Sequence, residues 1–143
     1  MRRDQHWEMK CLMMELKRDE GFRPKPYRCT AGALTIGYGR NLDVKGISQA
    51  EADILLRNDI VFAQDNLYAV FPDAFSLNSP RFRVLVNMIF HLGTKGFLGF
   101  KRLHAAILAR DFNQAADEIL DSRAASQCPD RFNRHAETMR TGL

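Results

Sequence analysis

The chain has 143 residues, which is close to the commonest size of a single domain and enough to bury a hydrophobic core without disulfides. Its formal charge of +4 and its pI of about 9.2 favour acidic partners such as nucleic acid, an anionic cell envelope or an acidic polysaccharide. The three cysteines have no CxxC pairing and no histidine at ligand spacing. We therefore expect no disulfide framework, no metal site and no cofactor.

The first predicted element is a helix over residues 7–20, in which apolar residues recur at helical intervals and Gly21 supplies a C-terminal stop. Charged residues interrupt every apolar stretch of this region before it reaches the length of a signal-peptide core or a membrane span. The sequence thus predicts synthesis in a cytoplasm, with no signal peptide, no transmembrane segment and no stable membrane insertion.

The period of the pattern changes over residues 24–41. Pro24 and Pro26 disfavour a helix, and "ALTIGYGR" combines β-branched and aromatic residues with glycines. This segment is predicted to form a short hairpin, and it is the only convincing β region of the sequence.

Helical patterns occupy the rest of the chain. Ser48 and Glu51 form a Ser-x-x-Glu capping box, which predicts one long helix over residues 50–71 that Pro72 ends. Ser79 and Pro80 mark the start of the next helix, whose segment "RFRVLVNMIFHLG" is apolar on nearly every face until Gly93. Three shorter helices are predicted at residues 100–109, at residues 112–121 behind an Asp111 cap, and at residues 129–140 ahead of Gly142.

These elements predict a small hairpin-bearing lobe over about residues 15–50 and a larger helical lobe. The helical lobe would comprise about residues 51–143 together with the N-terminal helix, and the long helix would join the two lobes. A cleft between them is the natural ligand site.

Two acids, Asp19 and Glu20, fall in the last turn of the first predicted helix. The partial negative charge of a helix C-terminus disfavours carboxylates there by a few tenths to about 1 kcal/mol each. One interpretation is a solvated acidic pair neutralised by neighbouring lysine and arginine side chains. The other is that function keeps at least one of them in place.

The segment after these acids resembles a known family. Glu20, Cys29 and Thr35 are separated by eight and then five residues, within "DEG" followed by "PYRCTAGALTIGYGR". This pattern is similar to that of the phage-type lysozymes, or endolysins, of glycoside hydrolase family 24, in which a Glu, an Asp or Cys, and a Thr have this spacing. The segments "VNMIFHLGTKGFLGF", "FNQAADEILDSR" and "CPDRFNRHAETMRTG" resemble later helices of the family, in the same order.

The resemblance implies an α+β, mostly helical, lysozyme-like fold in a single domain over residues 1–143, with its active-site cleft between the lobes. It also implies hydrolysis of the β-1,4 bond between N-acetylmuramic acid and N-acetylglucosamine in bacterial peptidoglycan. Such a reaction needs an acid to protonate the leaving oxygen and a group on the other side of the sugar. Glu20 is the expected general acid.

The second group is less clear, because Cys29 stands where other members of the family have Asp. The thiol could orient a water molecule, attack the sugar as a nucleophile, or only shape the site. The resemblance to inverting members favours the first role, with Thr35 holding the water through its hydroxyl.

Other residues receive roles through the same resemblance. Arg131 is expected to pair with the general acid, and Gly39 is expected to let the sugar approach the hairpin closely. Further substrate contacts are expected at Asn41, Phe90, His91, Leu103 and Glu118. Phe90 and His91 also fit ordinary core positions. Leu103 and Glu118 depart from the polar residues expected at their positions, and Ala124 and Ala125 replace aromatic residues.

Three alternatives stay open. The chain could bind cell wall without cutting it, or it could be a lytic transglycosylase. A nucleic-acid binder is disfavoured, because the basic residues are interspersed with acids and no helix presents a clean basic face. The expected partner is peptidoglycan rather than nucleic acid. The chain would act as a monomer that is made in the host cytoplasm and released by a separate, holin-like, membrane-permeabilising protein.

Overall fold

A computed structural model describes the backbone of residues 5–143 and the side chains of residues 8–143. Contacts divide the chain into two compact units, Met1–Asp53 and Ile54–Leu143. Within the described residues there is no helix long and apolar enough to cross a membrane. The prediction about a leader segment involves residues 1–4, which lie outside the described residues.

The first unit begins with helix α1, Gln5–Glu20, which ends where it was predicted to end. Gly21 adopts a left-handed backbone with φ of 70°, and its N–H donates to the Lys17 carbonyl at 3.1 Å. This geometry is a common helix stop that glycine adopts without steric cost. The chain then turns directly into the sheet.

The sheet has three antiparallel strands in the order β1-β2-β3. The strands are β1 (Arg23–Arg28), β2 (Leu34–Gly37) and β3 (Arg40–Asn41). The predicted hairpin is confirmed and extended by the short third strand. Pro24 and Pro26 lie within β1, contrary to a simple strand pattern, and they fit because β1 is an edge strand whose register is irregular between Arg23 and Tyr27.

Helix α1 belongs to the same unit as this sheet, whereas the sequence interpretation assigned it to the helical lobe. The reason is local. Gly21 connects α1 to β1 without a linker, and the Lys17 ammonium lies 5.5 Å from the centre of the Tyr38 ring in the turn between β2 and β3. That the two units together form one domain stays a prediction.

Helix α2, Gln49–Val70, begins in the first unit and continues through the second. Its predicted capping box is confirmed. The Glu51 N–H donates to Ser48 Oγ at 3.2 Å, and the Ser48 N–H donates to Glu51 Oε2 at 2.7 Å. The two contacts satisfy backbone donors that would otherwise be unpaired at a helix start. The helix stops two residues before Pro72, which opens a short 3-10 helix, Pro72–Ser76.

The second unit also contains five further helices, which surround one apolar core. They are α3 (Ser79–Leu98), α4 (Lys101–Leu108), α5 (Phe112–Leu120), α6 (Arg123–Gln127) and α7 (Pro129–Thr141). The largest fully buried side chains include Phe97, Phe132, Leu67, Leu85, Met88, Leu103, Ile119 and Met139. The α+β fold class, mostly helical with a small sheet, is thereby confirmed.

Helix α3 differs from its prediction at both ends. Asn78 rather than Ser79 caps it, because the Asn78 side-chain oxygen accepts the Arg81 N–H at 3.2 Å. Gly93 interrupts the helical backbone with φ of 74° and ψ of 166°, but helical geometry resumes and continues to Leu98. Gly93 is therefore a kink between two helical segments rather than a stop.

The sequence predicted three short helices after α3, and the structure has four. The additional helix, α6, begins behind Ser122, whose Oγ accepts the Ala125 N–H at 3.0 Å. Ala124 and Ala125 therefore continue the helical fold where aromatic residues were expected, and Ala125 is buried. The closing helix ends as predicted, with Gly142 in a left-handed conformation at φ of 76°.

Candidate active site

Glu20 is the last residue of α1, and its carboxylate lies against the turn between β2 and β3. A Cβ atom on Gly39 would be only 3.1 Å from Glu20 Oε2, and Gly39 has φ of 78°. The left-handed backbone favours glycine there, and a side chain at this position would also force the Glu20 carboxylate to shift slightly. Gly39 makes room for Glu20, while its expected role in admitting the sugar stays a prediction.

Asp19 has a different environment from Glu20. Its carboxylate accepts a hydrogen bond from Arg18 Nε at 3.0 Å, and both side chains are largely exposed. Asp19 is thus a solvated carboxylate beside Glu20. One of the two interpretations of the acidic pair expected this environment for both acids.

Cys29 begins the tight connection from β1 to β2. Its carbonyl accepts the Gly32 N–H at 2.8 Å, and its N–H donates to the Ala33 carbonyl at 3.0 Å. The pKa of the thiol is lowered, first by a hydrogen bond with the backbone of Ala33, then by one with the backbone of Ala31, and further by the Thr35 hydroxyl, while burial opposes the shift. Donors around the sulfur favour the thiolate, which is the form that acts as base or nucleophile.

Thr35 lies on the central strand β2 and is only 4% exposed. Its hydroxyl donates to the Ala33 carbonyl at 2.9 Å. Across the sheet it faces Tyr27 on one side and Asn41 on the other. The contact with Cys29 and the bond to Ala33 fix the hydroxyl beside the thiol.

Asn41 stabilises the chain turn after β3. Its side-chain oxygen accepts the Val44 N–H at 3.0 Å, and its carbonyl accepts the Lys45 N–H at 3.0 Å. These contacts are typical of an N-cap residue, whose side chain accepts the N–H three residues on and whose carbonyl accepts the N–H four residues on. A substrate contact at Asn41 stays a prediction.

Sequence reasoning missed an ion pair that joins β3 to the start of α2. Both Nη atoms of Arg40 donate to the carboxylate of Glu51, one of them at 3.0 Å, and Nη1 also donates to the Gly46 carbonyl at 3.0 Å. Arg40 and then the Ser48 backbone lower the pKa of Glu51 to about 2. The sequence identified Glu51 only as a helix cap. The signal of the ion pair was the arginine at position 40, whose long cationic side chain can pair with a carboxylate.

Two of the predicted residues in the second unit line one open cavity of about 610 Å³. These are Phe90, which is 45% exposed, and Arg131, which is half-buried. The other lining residues include apolar side chains of α2 and α3, among them Leu56, Ile60 and Phe82. Arg131 and Glu20 belong to different units, and their expected pairing stays a prediction.

His91 is half-buried and packs edge-on against Phe132, with ring centres 6.1 Å apart. Its Nδ1 atom is buried and has no hydrogen-bond partner among the described residues. The contact with Phe132 fits a core position, but the unpartnered nitrogen does not indicate a satisfied core histidine, and a substrate contact at His91 stays a prediction.

Leu103 and Glu118 line a second open cavity, of about 680 Å³, together with Ala124. Leu103 itself has an exposed fraction of 0% and belongs to the core, because it is on the inner face of α4. A direct substrate contact at Leu103 is therefore not supported. Glu118 is half-buried, and its Oε1 accepts a hydrogen bond from Gln114 Nε2 at 2.7 Å.

The predicted residues thus fall into two groups. The first unit contains Glu20, Cys29, Thr35, Gly39 and Asn41, and the second contains Phe90, His91, Leu103, Glu118 and Arg131. Over the part of the chain that the structure describes, no group of three or more His, Cys, Asp or Glu side chains could hold a metal ion. The chemistry available in the first unit is that of a carboxylate, a thiol with hydrogen-bond donors around it, and a hydroxyl.

Comparisons with known proteins identify related sequences. A family model described as phage lysozyme matches residues 17–135. An endolysin of Salmonella phage P22 is 31% identical over 123 residues, which cover 80% of this chain and 82% of the relative. An endolysin of Acyrthosiphon pisum secondary endosymbiont phage 1 is 36% identical over 57% of each chain. A probable T4-type lysozyme 1 of Dictyostelium discoideum is 27% identical over 89% of this chain and 92% of the relative.

The matched region contains Glu20, Cys29 and Thr35 as well as helices α3 to α6 and the first half of α7. The family model extends over most of the chain, and the P22 endolysin aligns with four fifths of it. The chain therefore belongs to the phage lysozyme family.

Proposed function

We propose that this protein is a muramidase that hydrolyses the β-1,4 bond between N-acetylmuramic acid and N-acetylglucosamine in bacterial peptidoglycan. Membership of the phage lysozyme family supports cell-wall lysis at the level of the family, and two of its relatives are named endolysins. The observation that carries the assignment to Glu20 is its position. The Glu20 carboxylate lies next to Gly39, which has no side chain to occupy that space. Glu20 is also the last residue of α1, where the helix dipole disfavours a carboxylate.

In the proposed mechanism Glu20 is the general acid that protonates the leaving glycosidic oxygen. A second group must then assist water at the anomeric carbon, on the other face of the sugar.

Cys29 and Thr35 are the proposed second group. Because the Thr35 hydroxyl donates to the Ala33 carbonyl, the lone pairs of its oxygen stay available to accept a hydrogen bond from a water molecule and so orient it. The thiolate of Cys29 would accept the one proton that this water releases as its oxygen bonds to the anomeric carbon, while Glu20 protonates the leaving oxygen, which corresponds to an inverting reaction. A covalent glycosyl–cysteine intermediate would instead give retention.

Glu20→Gln tests the proposal. The amide keeps the size and hydrogen bonds of the side chain but cannot donate an acidic proton, so we expect turbidity clearance of purified sacculi to fall roughly 10²- to 10⁴-fold. Asp19→Asn is the matched control, since it removes the neighbouring carboxylate and should leave clearance nearly unchanged. Full activity of Glu20→Gln with an unchanged Tm would contradict the assignment.

Product analysis distinguishes hydrolysis from lytic transglycosylation. Mass spectrometry of the released fragments should find reducing N-acetylmuramic acid ends, because water is the proposed acceptor. Anhydro ends would indicate the transglycosylase instead. No change of either kind, combined with retained binding to sacculi, would identify a domain that binds cell wall without cutting it.

The proposed partner is the anionic envelope, to which the net charge of +4 contributes attraction. We further propose that the protein acts as a monomer, is synthesised in the host cytoplasm, and reaches its substrate after a separate holin-like protein opens the membrane.

A further inference from the structure

Two exposed aromatic side chains lie next to each other in the first unit. Phe22 is 63% exposed and Tyr38 is 45% exposed. Their ring centres are 5.5 Å apart and the ring planes are inclined by 40°. Two adjacent exposed aromatic rings present faces against which the apolar face of a ligand can stack.

This aromatic pair flanks the candidate general acid. Phe22 follows Glu20 by two residues, at the point where α1 gives way to β1. Tyr38 directly precedes Gly39, whose missing side chain leaves the space occupied by Glu20 Oε2. One ring is therefore attached to each of the two segments that meet at the carboxylate.

The surroundings of the pair indicate what it can bind. The Lys17 ammonium lies 5.5 Å from the centre of the Tyr38 ring, so the patch combines two aromatic faces with one cation. The C–H groups on one face of a hexosamine ring are apolar and slightly positive, and they are attracted to the negative face of an aromatic ring. A carboxylate on the same sugar would be attracted to Lys17.

We propose that Phe22 and Tyr38 form a stacking platform for an N-acetylhexosamine ring of the peptidoglycan glycan strand, next to the bond that is cleaved. Lys17 would contact the lactyl carboxylate of a muramic acid residue. The proposal rests on the proposed function, because it assigns a sugar-binding surface to the same site. It predicts that the platform recognises the glycan rather than the stem peptide.

Binding is measured in the Glu20→Gln background, so that the ligand is not consumed. The probe is a glycan strand freed of stem peptides, and affinity is determined by isothermal titration calorimetry. Phe22→Ala and Tyr38→Ala should each weaken binding roughly three- to tenfold, as expected for the loss of one aromatic contact. Tyr38→Phe should keep most of the affinity, because it retains the ring.

Phe75→Ala is the matched control. Phe75 lies in the second unit, is 70% exposed and stacks on Tyr68 with ring centres 3.9 Å apart. The Phe75→Ala substitution therefore removes a comparably exposed ring outside the proposed platform. It should leave the affinity unchanged. Equal affinity of the Phe22→Ala and Tyr38→Ala proteins with the parent would overturn the proposal, as would competition by free stem peptides instead of glycan.

Lys17→Gln tests the carboxylate contact. It should weaken binding of the muramic acid strand but not of a chitin oligosaccharide, which has no lactyl group. Equal effects on both ligands would contradict the assigned contact.

A kinetic experiment with Glu20 intact separates this proposal from the proposed function. The aromatic variants should raise KM by the same factors and leave kcat largely unchanged, since the platform binds sugar without reacting. If the parent binds glycan through these rings but releases no products, the proposed function fails and the platform stands. If the aromatic variants hydrolyse with unchanged KM, the platform fails and the function stands.

Discussion

Cys29 carries the least conventional chemistry of the candidate site, because a thiol stands where a carboxylate would also serve. Its pKa is lowered by backbone hydrogen bonds at Ala33 and Ala31 and by the Thr35 hydroxyl. A base of this type is active as thiolate, so its contribution is lost as the pH falls below the thiol pKa. An aspartate in its place would stay ionised down to a pH of about 4.

Cys29→Asp should therefore retain activity at acidic pH where the parent protein loses it. The measurement is kcat/KM between pH 4 and pH 9, and the acidic limb of the profile should move to lower pH in the variant. Cys29→Ala should lose roughly a hundredfold or more at every pH, as expected when a general base is removed. An alanine variant with full activity would exclude any chemical role for the thiol.

Sequence reasoning was most informative where the site is local. The backbone roles of Gly21 and Gly39 could be predicted from helix-end and turn chemistry, whereas the roles of Glu20 and Thr35 come from the family pattern and stay predictions. Leu103 was misjudged, because similarity along the chain does not say whether a side chain faces the core or the solvent. Arg40 was missed, because a long side chain can reach partners many residues away.

At the scale of elements, the Arg40–Glu51 pair fastens β3 to the first turn of α2. The Glu51 carboxylate accepts from Arg40 and from the Ser48 backbone, and Arg40 also reaches the Gly46 carbonyl. Arg40 directly follows Gly39, on which Glu20 lies. The pair therefore holds the turn that positions the candidate acid.

Arg40→Leu and Glu51→Gln should lower activity roughly tenfold by allowing this turn to move, and both should lower the Tm.

Glu51 has a folded-state pKa of about 2, below its usual value, so its stabilising effect is present above about pH 4.5 and lost as the pH falls towards 2. Thermal unfolding from pH 2 to pH 7 measures this loss, which Glu51→Gln should abolish. Unchanged activity of both variants would show that the turn needs no such support.

The remaining differences from the predicted elements also have physical causes. Gly93 predicted a stop, but one left-handed residue only redirects the backbone if helical residues come after it. Helix α6 has five residues, too few for a periodic pattern to reveal, and its Ser122 cap was the only signal. Longer helices with explicit caps, such as α2 and α5, could be predicted from the sequence.

At the scale of the whole molecule, the helical unit contains a buried histidine that makes its stability sensitive to acid. His135 is 7% exposed, and its Nε2 has no hydrogen-bond partner among the described residues. Burial, followed by the nearby charges of Arg131, Arg134 and His91, lowers the pKa of His135 to about 4. The folded state thus holds the neutral imidazole, whereas the unfolded chain binds a proton near pH 6.5.

The free energy of unfolding should therefore be highest above pH 6.5 and decline by roughly 2 kcal/mol as the pH falls from 6.5 to 4. Urea unfolding at a series of pH values measures the decline. His135→Leu should flatten it, whatever its effect at pH 7. A His135→Leu protein with the same acid sensitivity as the parent would assign the effect to other groups, such as His104, whose pKa burial also lowers.

The sequence predicted a small lobe over about residues 15–50 and a helical lobe that includes the N-terminal helix, because the β pattern is confined to residues 24–41 and helical patterns occupy the chain from residue 50 onward. Contacts place α1 in the same unit as the sheet, and those at its C-terminal end involve single residues such as Lys17 and Glu20. Apolar spacing along a helix does not indicate such contacts.

Glu20, Cys29 and Thr35 lie within a short segment of the sequence, which has a consequence for folding. The contacts that shape it join residues close in sequence, from the Cys29 turn to the bond between Leu34 and Asp43, and the longest loop among them runs from Glu20 to Gly39. Short loops cost little closure entropy, and local contacts form quickly. The acid, the thiol and the hydroxyl are thus carried by one short segment, whose shape depends on contacts of small sequence separation and little on the helical core.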